Sequence, residues 1–435
     1  MLSSGGRSRL DYASEFPVHT ALSGPAGGVV GALECAREVG IDRIITLDMG
    51  GTSTDVSLCD GELTISQEAQ ISGMPLRVPV IDIHTVGAGG GSLAQVNEVG
   101  GLRVGPESAG ADPGPACYGR GGDRATVTDA HLVLGRLRAD AFLGGTRQLD
   151  TAASQSAVER VARATEMEVD EAAAGILDIA DARMMRALKV ISLERGHDPR
   201  DFTLVAFGGA GGLHACRLAH ELDIQRVVIP RSPGVLSAYG MLATDPQRRY
   251  SASILARLED ALADEALIRS PLSDLIEKAR RALAGRGSVD LDVSADLRYV
   301  GQSYEINIPV DWRPDDDGLE NPSESFARRH EMLYGYRDDE RAVELVALRL
   351  RATVPRQMPD VSVPEATGGQ AHSRRADVRF TSGWHDAAII ERADLGEHDE
   401  VRGPCVITEY SGTTVVPPEW SGRVERGHIV LEANR

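Results

Sequence analysis

Ile44-Ile45-Thr46-Leu47-Asp48-Met49-Gly50-Gly51-Thr52-Ser53-Thr54-Asp55-Val56 is the stretch on which the reading of this chain turns. An apolar run ends in an aspartate, and two glycines, three hydroxyl residues and a second aspartate follow. The apolar run predicts a buried strand, and the glycines a tight turn into a second strand over residues 54–58. Glycines let backbone N–H groups approach an anionic ligand closely, and hydroxyls add donors without bulk. Gly50, Gly51, Thr52 and Thr54 are therefore candidate phosphate contacts. Asp48 and Asp55 are the candidate catalytic residues, able to hold the cation that accompanies a nucleotide or to position a water. A plain Gly-Gly hairpin is the alternative, but two carboxylates around three hydroxyls favour phosphate.

Upstream, Ser23-Gly24-Pro25-Ala26-Gly27-Gly28 leads into a helix over 29–40 that Gly40 can end. Its glycine-rich start is expected to offer an anion site, to pack closely on a sheet, or both. Downstream, Asp60-Gly61 reads as a hairpin turn into a strand over 62–68, and residues 78–85 as a further strand. Asp82 and His84 then fall on one face of that strand. With Asp112 they are a candidate cluster for an additional divalent metal, the alternative being a hydrogen-bonded structural pair. The glycines of 87–91 point to a ligand or to closely approaching backbone. Residues 105–125 are too rich in Pro and Gly for helix or central strand and predict a shaped loop. Asp112, Cys117, Tyr118 and Arg120 are its site candidates, although no histidine pairs with Cys117 in sequence, and that thiol is read as packed.

A helix starting near Thr128 carries His131 in its first turn, and helical patterns follow over 152–167 and 170–195. The apolar strand 202–207 then runs into Gly208-Gly209-Ala210-Gly211-Gly212-Leu213-His214. Strand, glycine turn and helix start suit a nucleotide, without the Rossmann spacing. Beyond Asp245 the pattern changes to a helix at 256–285, strands at 289–300 and 304–310, a helix at 323–334 and a strand at 343–354. Residues 355–375 read as a linker, and the last 60 as short strands of a small β-barrel or sandwich.

The composition narrows the class. A chain of 435 residues, 42% hydrophobic and 26% charged, is long enough for two or three globular domains. A net charge of −19 argues against nucleic acid, which needs a basic footprint, but not against ATP held by backbone N–H groups and a cation. Five cysteines without metal-type pairing indicate reduced thiols and a cytoplasmic location. No uninterrupted apolar stretch reaches the roughly 20 residues of a membrane span.

The chain resembles the hydantoinase A/oxoprolinase family, which includes N-methylhydantoinase, 5-oxoprolinase and subunits of acetone-type carboxylases. The similarity rests on Ser23–Gly28, 48–56, 85–92, 111–122, 128–137, 207–215 and 233–242, in family order. Asn or His occupies the position of His131 in that family. The resemblance implies an α/β fold: an actin- and sugar-kinase-like ATPase half-core over 19–245, then an α+β C-terminal region over 246–435, with 1–18 a leader remnant. It implies ATP and Mg²⁺, with Asp48–Asp55 as phosphate hairpin and Gly208, Gly209, Gly211 and Gly212 against adenosine. The implied activity is ATP-dependent opening of a cyclic amide, hydantoin or 5-oxoproline, by phosphorylating its carbonyl oxygen. A ketone carboxylase subunit and a non-catalytic assembly subunit are the alternatives. The implied partners are a hydantoinase B-like subunit and a chain or domain supplying the N-terminal ATPase half.

Overall fold

The computed structural model describes residues 1–66, 69–71, 74–76, 78–312, 319–355 and 374–434. The chain has a mixed α/β fold and divides into two compact units, Met1–Ala21 with Thr244–Pro359, and Leu22–Ala243 with Asp360–Arg435. This differs from the sequential boundaries expected at 18 and 245, because both ends of the sequence return to pack on earlier or later segments.

The larger unit is built on an eight-stranded sheet. In spatial order its strands are Glu400–Arg402, Trp420–Glu425, His428–Ala433, Arg226–Ile229, Thr203–Phe207, Arg43–Met49, Thr54–Asp60 and Ile83–Val86. Arg43–Met49, Thr203–Phe207 and Arg226–Ile229 run parallel and are buried almost throughout, as strands covered on both faces must be. Helix Val169–Ile191 packs against Thr54–Asp60 and Ile83–Val86. Its buried Ile176, Leu177, Ala180, Met184, Ala187, Leu188 and Ile191 recur at helical spacing.

Gly27 and Gly28 serve close packing, one of the uses expected of this run. They lie inside helix Ser23–Glu38. A Cβ on Gly27 would sit 2.5 Å from the Ser237 carbonyl oxygen, and one on Gly31 2.7 Å from that of Leu236. The glycines let this helix and Leu236–Ala243 approach to backbone contact.

The C-terminal strands, expected as a small β-barrel or sandwich, are divided between two sheets. His428–Ala433 pairs antiparallel with Arg226–Ile229 and covers an edge that would otherwise present unpaired N–H and C=O groups. Arg374–Phe380, Gly383–Glu391, Cys405–Glu409 and Gly412–Val416 form a second, four-stranded sheet. Its Val378, Phe380, Val406 and Val415 close over Leu213 of helix Gly208–Glu221.

In the smaller unit, Gln247–Arg257, Val343–Thr353, Asp290–Tyr299 and Ile306–Val310 form a four-stranded antiparallel sheet in that order. Leu272, Leu275 and Ile276 of helix Ala266–Ala282 share its core with Tyr299, Leu348 and Phe326. Residues 1–18, expected as a leader remnant, pack within this unit: Leu2, Ser3 and Ser4 are buried, and the Gln247 N–H donates to the Arg7 carbonyl at 3.2 Å. Residues 67, 68 and 356–373, within the expected third strand and linker, lie outside the described residues. Among the described residues no helix is long and apolar enough to cross a membrane.

Candidate nucleotide site

Arg43–Met49 and Thr54–Asp60 pair so that Asp48 stands directly opposite Asp55, and the Gly50 N–H closes the turn on the Ser53 carbonyl at 3.1 Å. Both carboxyls are half-buried. Burial, with the Asp55 charge added, pushes Asp48 up to about 6. Burial also raises Asp55, while Thr85 Oγ1, donating to Asp55 Oδ1 at 2.6 Å, works the other way. Two facing acids in a partly desolvated place cannot both ionise cheaply, and a cation between them would reverse that cost.

The turn beside them is open. A Cβ on Gly51 would meet nothing within 4 Å, and one on Gly50 only the Ser53 carbonyl oxygen at 4.0 Å. Neither glycine sits in the left-handed region, so no backbone or packing constraint of the chain itself explains them. Thr52 is exposed. Thr54 departs from the expectation: it is fully buried, and its hydroxyl donates to the Ala88 carbonyl at 2.6 Å, so it braces the hairpin from behind.

The 87–91 glycines supply that brace. Gly90 and Gly91 N–H groups donate to the Gly50 and Gly51 carbonyls at 3.0 and 2.6 Å. A Cβ on Gly89 would lie 2.6 Å from Thr52 backbone atoms. Close backbone approach accounts for this run.

Thr203–Phe207 delivers the second glycine turn to the same place, since Phe207 pairs with Asp48. Gly208 has φ +77°, and a Cβ there would stand 2.6 Å from Asp48 Oδ1 and 2.4 Å from the Met49 carbonyl oxygen. On Gly212 a Cβ would meet the Thr413 carbonyl oxygen at 2.6 Å, and on Gly211 that of Leu47 at 3.3 Å. These three are packing glycines, and a role against adenosine is not needed to explain them. Gly209 differs: its nearest neighbour would be the Ser411 carbonyl oxygen at 3.7 Å. Gly50, Gly51, Thr52 and Gly209 thus face open space around the Asp48–Asp55 pair.

The expected metal cluster does not assemble. Residues 78–85 form two short strands: Val80–Ile81 pairs with Ile65–Ser66, and Ile83–Val86 with Thr54–Asp60. Asp82 falls at the break and is ion-paired with Arg195. His84 pairs with Val56 across the ladder, and Asp112 is exposed on its loop. Among the described residues no three His, Cys, Asp or Glu side chains converge to hold a metal ion.

That loop is organised by Asp129, in the first turn of helix Val127–Val133. The Asp129 carboxylate accepts from the Ala116, Cys117 and Thr126 N–H groups at 3.1, 2.9 and 3.0 Å, and from Ser154 Oγ at 2.6 Å. The Thr-x-x-Asp capping box was the only sequence signal for it. Cys117 is buried, and burial together with the Asp129 charge keeps its thiol protonated, which suits the packed role.

The sequence matches the hydantoinase/oxoprolinase family over residues 1–250 and the hydantoinase/oxoprolinase C-terminal domain over residues 259–432. Caprolactamase subunit alpha of Pseudomonas jessenii is 35% identical over 433 residues, spanning 96% of this chain and 62% of that protein. 5-Oxoprolinase 1 of Arabidopsis thaliana is 35% identical over 458 residues, spanning 99% of this chain and 36% of that protein. The crystal structure of ATP-dependent caprolactamase from Pseudomonas jessenii matches 100% of this chain and 65% of that one, at 33% identity and a TM-score of 0.85. Nucleotide-free acetone carboxylase matches 100% and 64%, at 26% identity and a TM-score of 0.78. The chain therefore spans less than two thirds of these relatives' own length, 62% of one and 36% of the other. It belongs to the hydantoinase/oxoprolinase family.

Proposed function

We propose that this chain is the nucleotide-handling part of an ATP-dependent cyclic-amide hydrolase. The observation that carries the reading is the Asp48–Asp55 pair, facing acids beside a glycine turn with open space around it. The larger unit is read as an actin- and sugar-kinase-like ATPase half-core, with the central sheet presenting both turns at one end. The acids, raised toward neutrality and short of donors, fit a magnesium ion: Asp48 and Asp55 would hold it or its water. Magnesium ATP, when bound, supplies a phosphoryl group that turns the amide oxygen into a leaving group. The chain's own part is electrostatic and positional. The N–H groups of Gly51 and Thr52 would line the phosphate side, with Gly50 leaving room beside them, and Gly209 would allow the adenosine side to lie against backbone.

The substrate class is a lactam or related cyclic amide, a reading supported by the names of the more similar relatives, caprolactamase and 5-oxoprolinase. Ketone carboxylation is the second reading, and the acetone carboxylase likeness favours it at lower identity. The caprolactamase relative is a subunit alpha, which supports a hydantoinase B-like partner and further chain completing the ATP cleft. The test is phosphate release by the chain co-purified with such partners. Release that depends on caprolactam or 5-oxoproline is the expected result. Release with a ketone and bicarbonate but with no cyclic amide would overturn the hydrolase reading in favour of the carboxylase.

A further inference from the structure

We infer that Asp181, His214 and His131 are positioning residues that hold the two open turns of the site at a fixed spacing. The inference rests on the nucleotide reading only for what those turns bind.

The three residues come from three helices, Val169–Ile191, Gly208–Glu221 and Val127–Val133, and are 5%, 2% and 0% exposed. His214 Nδ1 lies 2.5 Å from Asp181 Oδ1, and His214 Nε2 lies 3.0 Å from His131 Nε2. Arg217 Nε stands 3.1 Å from Asp181 Oδ2, an ion pair whose angle falls short of a hydrogen bond. A carboxylate only accepts, so His214 donates through Nδ1–H. The Nε2–Nε2 contact takes one proton, so one ring donates there and the other accepts. His131 Nδ1 is fully buried and has no partner among the described residues. Burial, with His214, Arg136 and Arg217 facing it, holds His131 well below the imidazole range and therefore neutral.

A buried chain with an unsatisfied nitrogen costs free energy that apolar side chains would not. Stability does not explain it, but its two ends do. His214 sits on the helix that begins at Gly208, the residue packed on Asp48. His131 sits one turn after Thr128, whose N–H and Oγ1 both reach the Gly90 carbonyl at 2.8 Å. Gly90 N–H in turn donates to the Gly50 carbonyl at 3.0 Å. Gly50 and Gly208 are thus joined by a polar path through the helices as well as by strand pairing through the sheet. Two independent routes between the same two turns fix their separation, which a single ladder would leave free to hinge.

The test uses the chain without nucleotide. His214→Asn keeps a donor toward Asp181 and removes the nitrogen that meets His131. Leu218→Ala, a buried position on the same helix, is the control for general loosening. Amide exchange is read over 50–54 and 208–212, with the melting temperature, and Mg-ATP affinity is measured alongside. His214→Asn should speed exchange at 50–54 by about fivefold or more, and Leu218→Ala should not. Unchanged exchange there, or an equal rise in the control, overturns the inference. If His214→Asn does not fold, His131→Leu cuts the same contact from the other helix and is read by the same two outcomes. Faster exchange in His214→Asn, together with a wild type that binds no Mg-ATP, leaves the positioning role standing and removes the nucleotide reading instead.

Discussion

Asp48 is held where ionisation is unfavourable, which is useful for binding a cation and costly for the fold. Its carboxyl is raised from the ordinary 3.8 to about 6, so the native state holds the proton more tightly than the unfolded chain. That contribution to stability is fully present below about pH 4 and is lost as pH rises through about 6. Asp48→Asn cannot ionise and should therefore stabilise the chain at pH 8, by roughly 1–3 kcal/mol, with little change at pH 4. Urea denaturation at the two pH values measures this, and a variant no more stable than wild type at pH 8 would contradict it. The pair itself was legible in the sequence, because two aspartates at the ends of a glycine turn must face each other across a hairpin. Thr54 was not, since a count of hydroxyls cannot say which one is turned inward. Nor was the full role of Asp129, whose donors at Ala116, Cys117 and Ser154 are distant in sequence.

Glycine-rich turns divide into two physical kinds, and sequence reports only that side chains are missing. Gly89 and Gly91 make room for backbone, Gly90 for the Thr128 hydroxyl, and Gly208 and Gly212 for neighbouring strands, whereas Gly50, Gly51 and Gly209 have space left over. The strands that carry these turns were readable from their apolar runs at 43–48 and 202–207. The distinction yields opposite outcomes for two similar substitutions. Gly212→Val should drive a side chain into the Thr413 carbonyl and lower stability by about 1–3 kcal/mol or more. Gly209→Val should leave the melting temperature nearly unchanged and weaken Mg-ATP at least about tenfold, roughly 1.4 kcal/mol. Thermal melts and nucleotide titration on the same two proteins check the pair. A Gly209→Val variant that melts early and binds normally would make Gly209 one more packing residue.

The division into units was the least legible feature. Alternation and turn residues identify His428–Ala433 as a strand, but nothing local names Arg226–Ile229, some two hundred residues earlier, as its partner. The sequence order suggested domains laid end to end, while pairing at that distance folds the C-terminal strands back into the central sheet. The candidate site lies wholly within the larger unit, and its acids, open turns and buried histidine chain belong to one connected core. The most telling measurement is ATP turnover by the chain co-purified with the proposed partners, carrying wild-type or Asp55→Ala sequence. If the hairpin holds the cation and phosphates, Asp55→Ala lowers turnover by roughly a hundredfold or more while the circular dichroism spectrum is unchanged. Turnover equal to wild type from a folded Asp55→Ala enzyme would mean that the phosphates are held elsewhere.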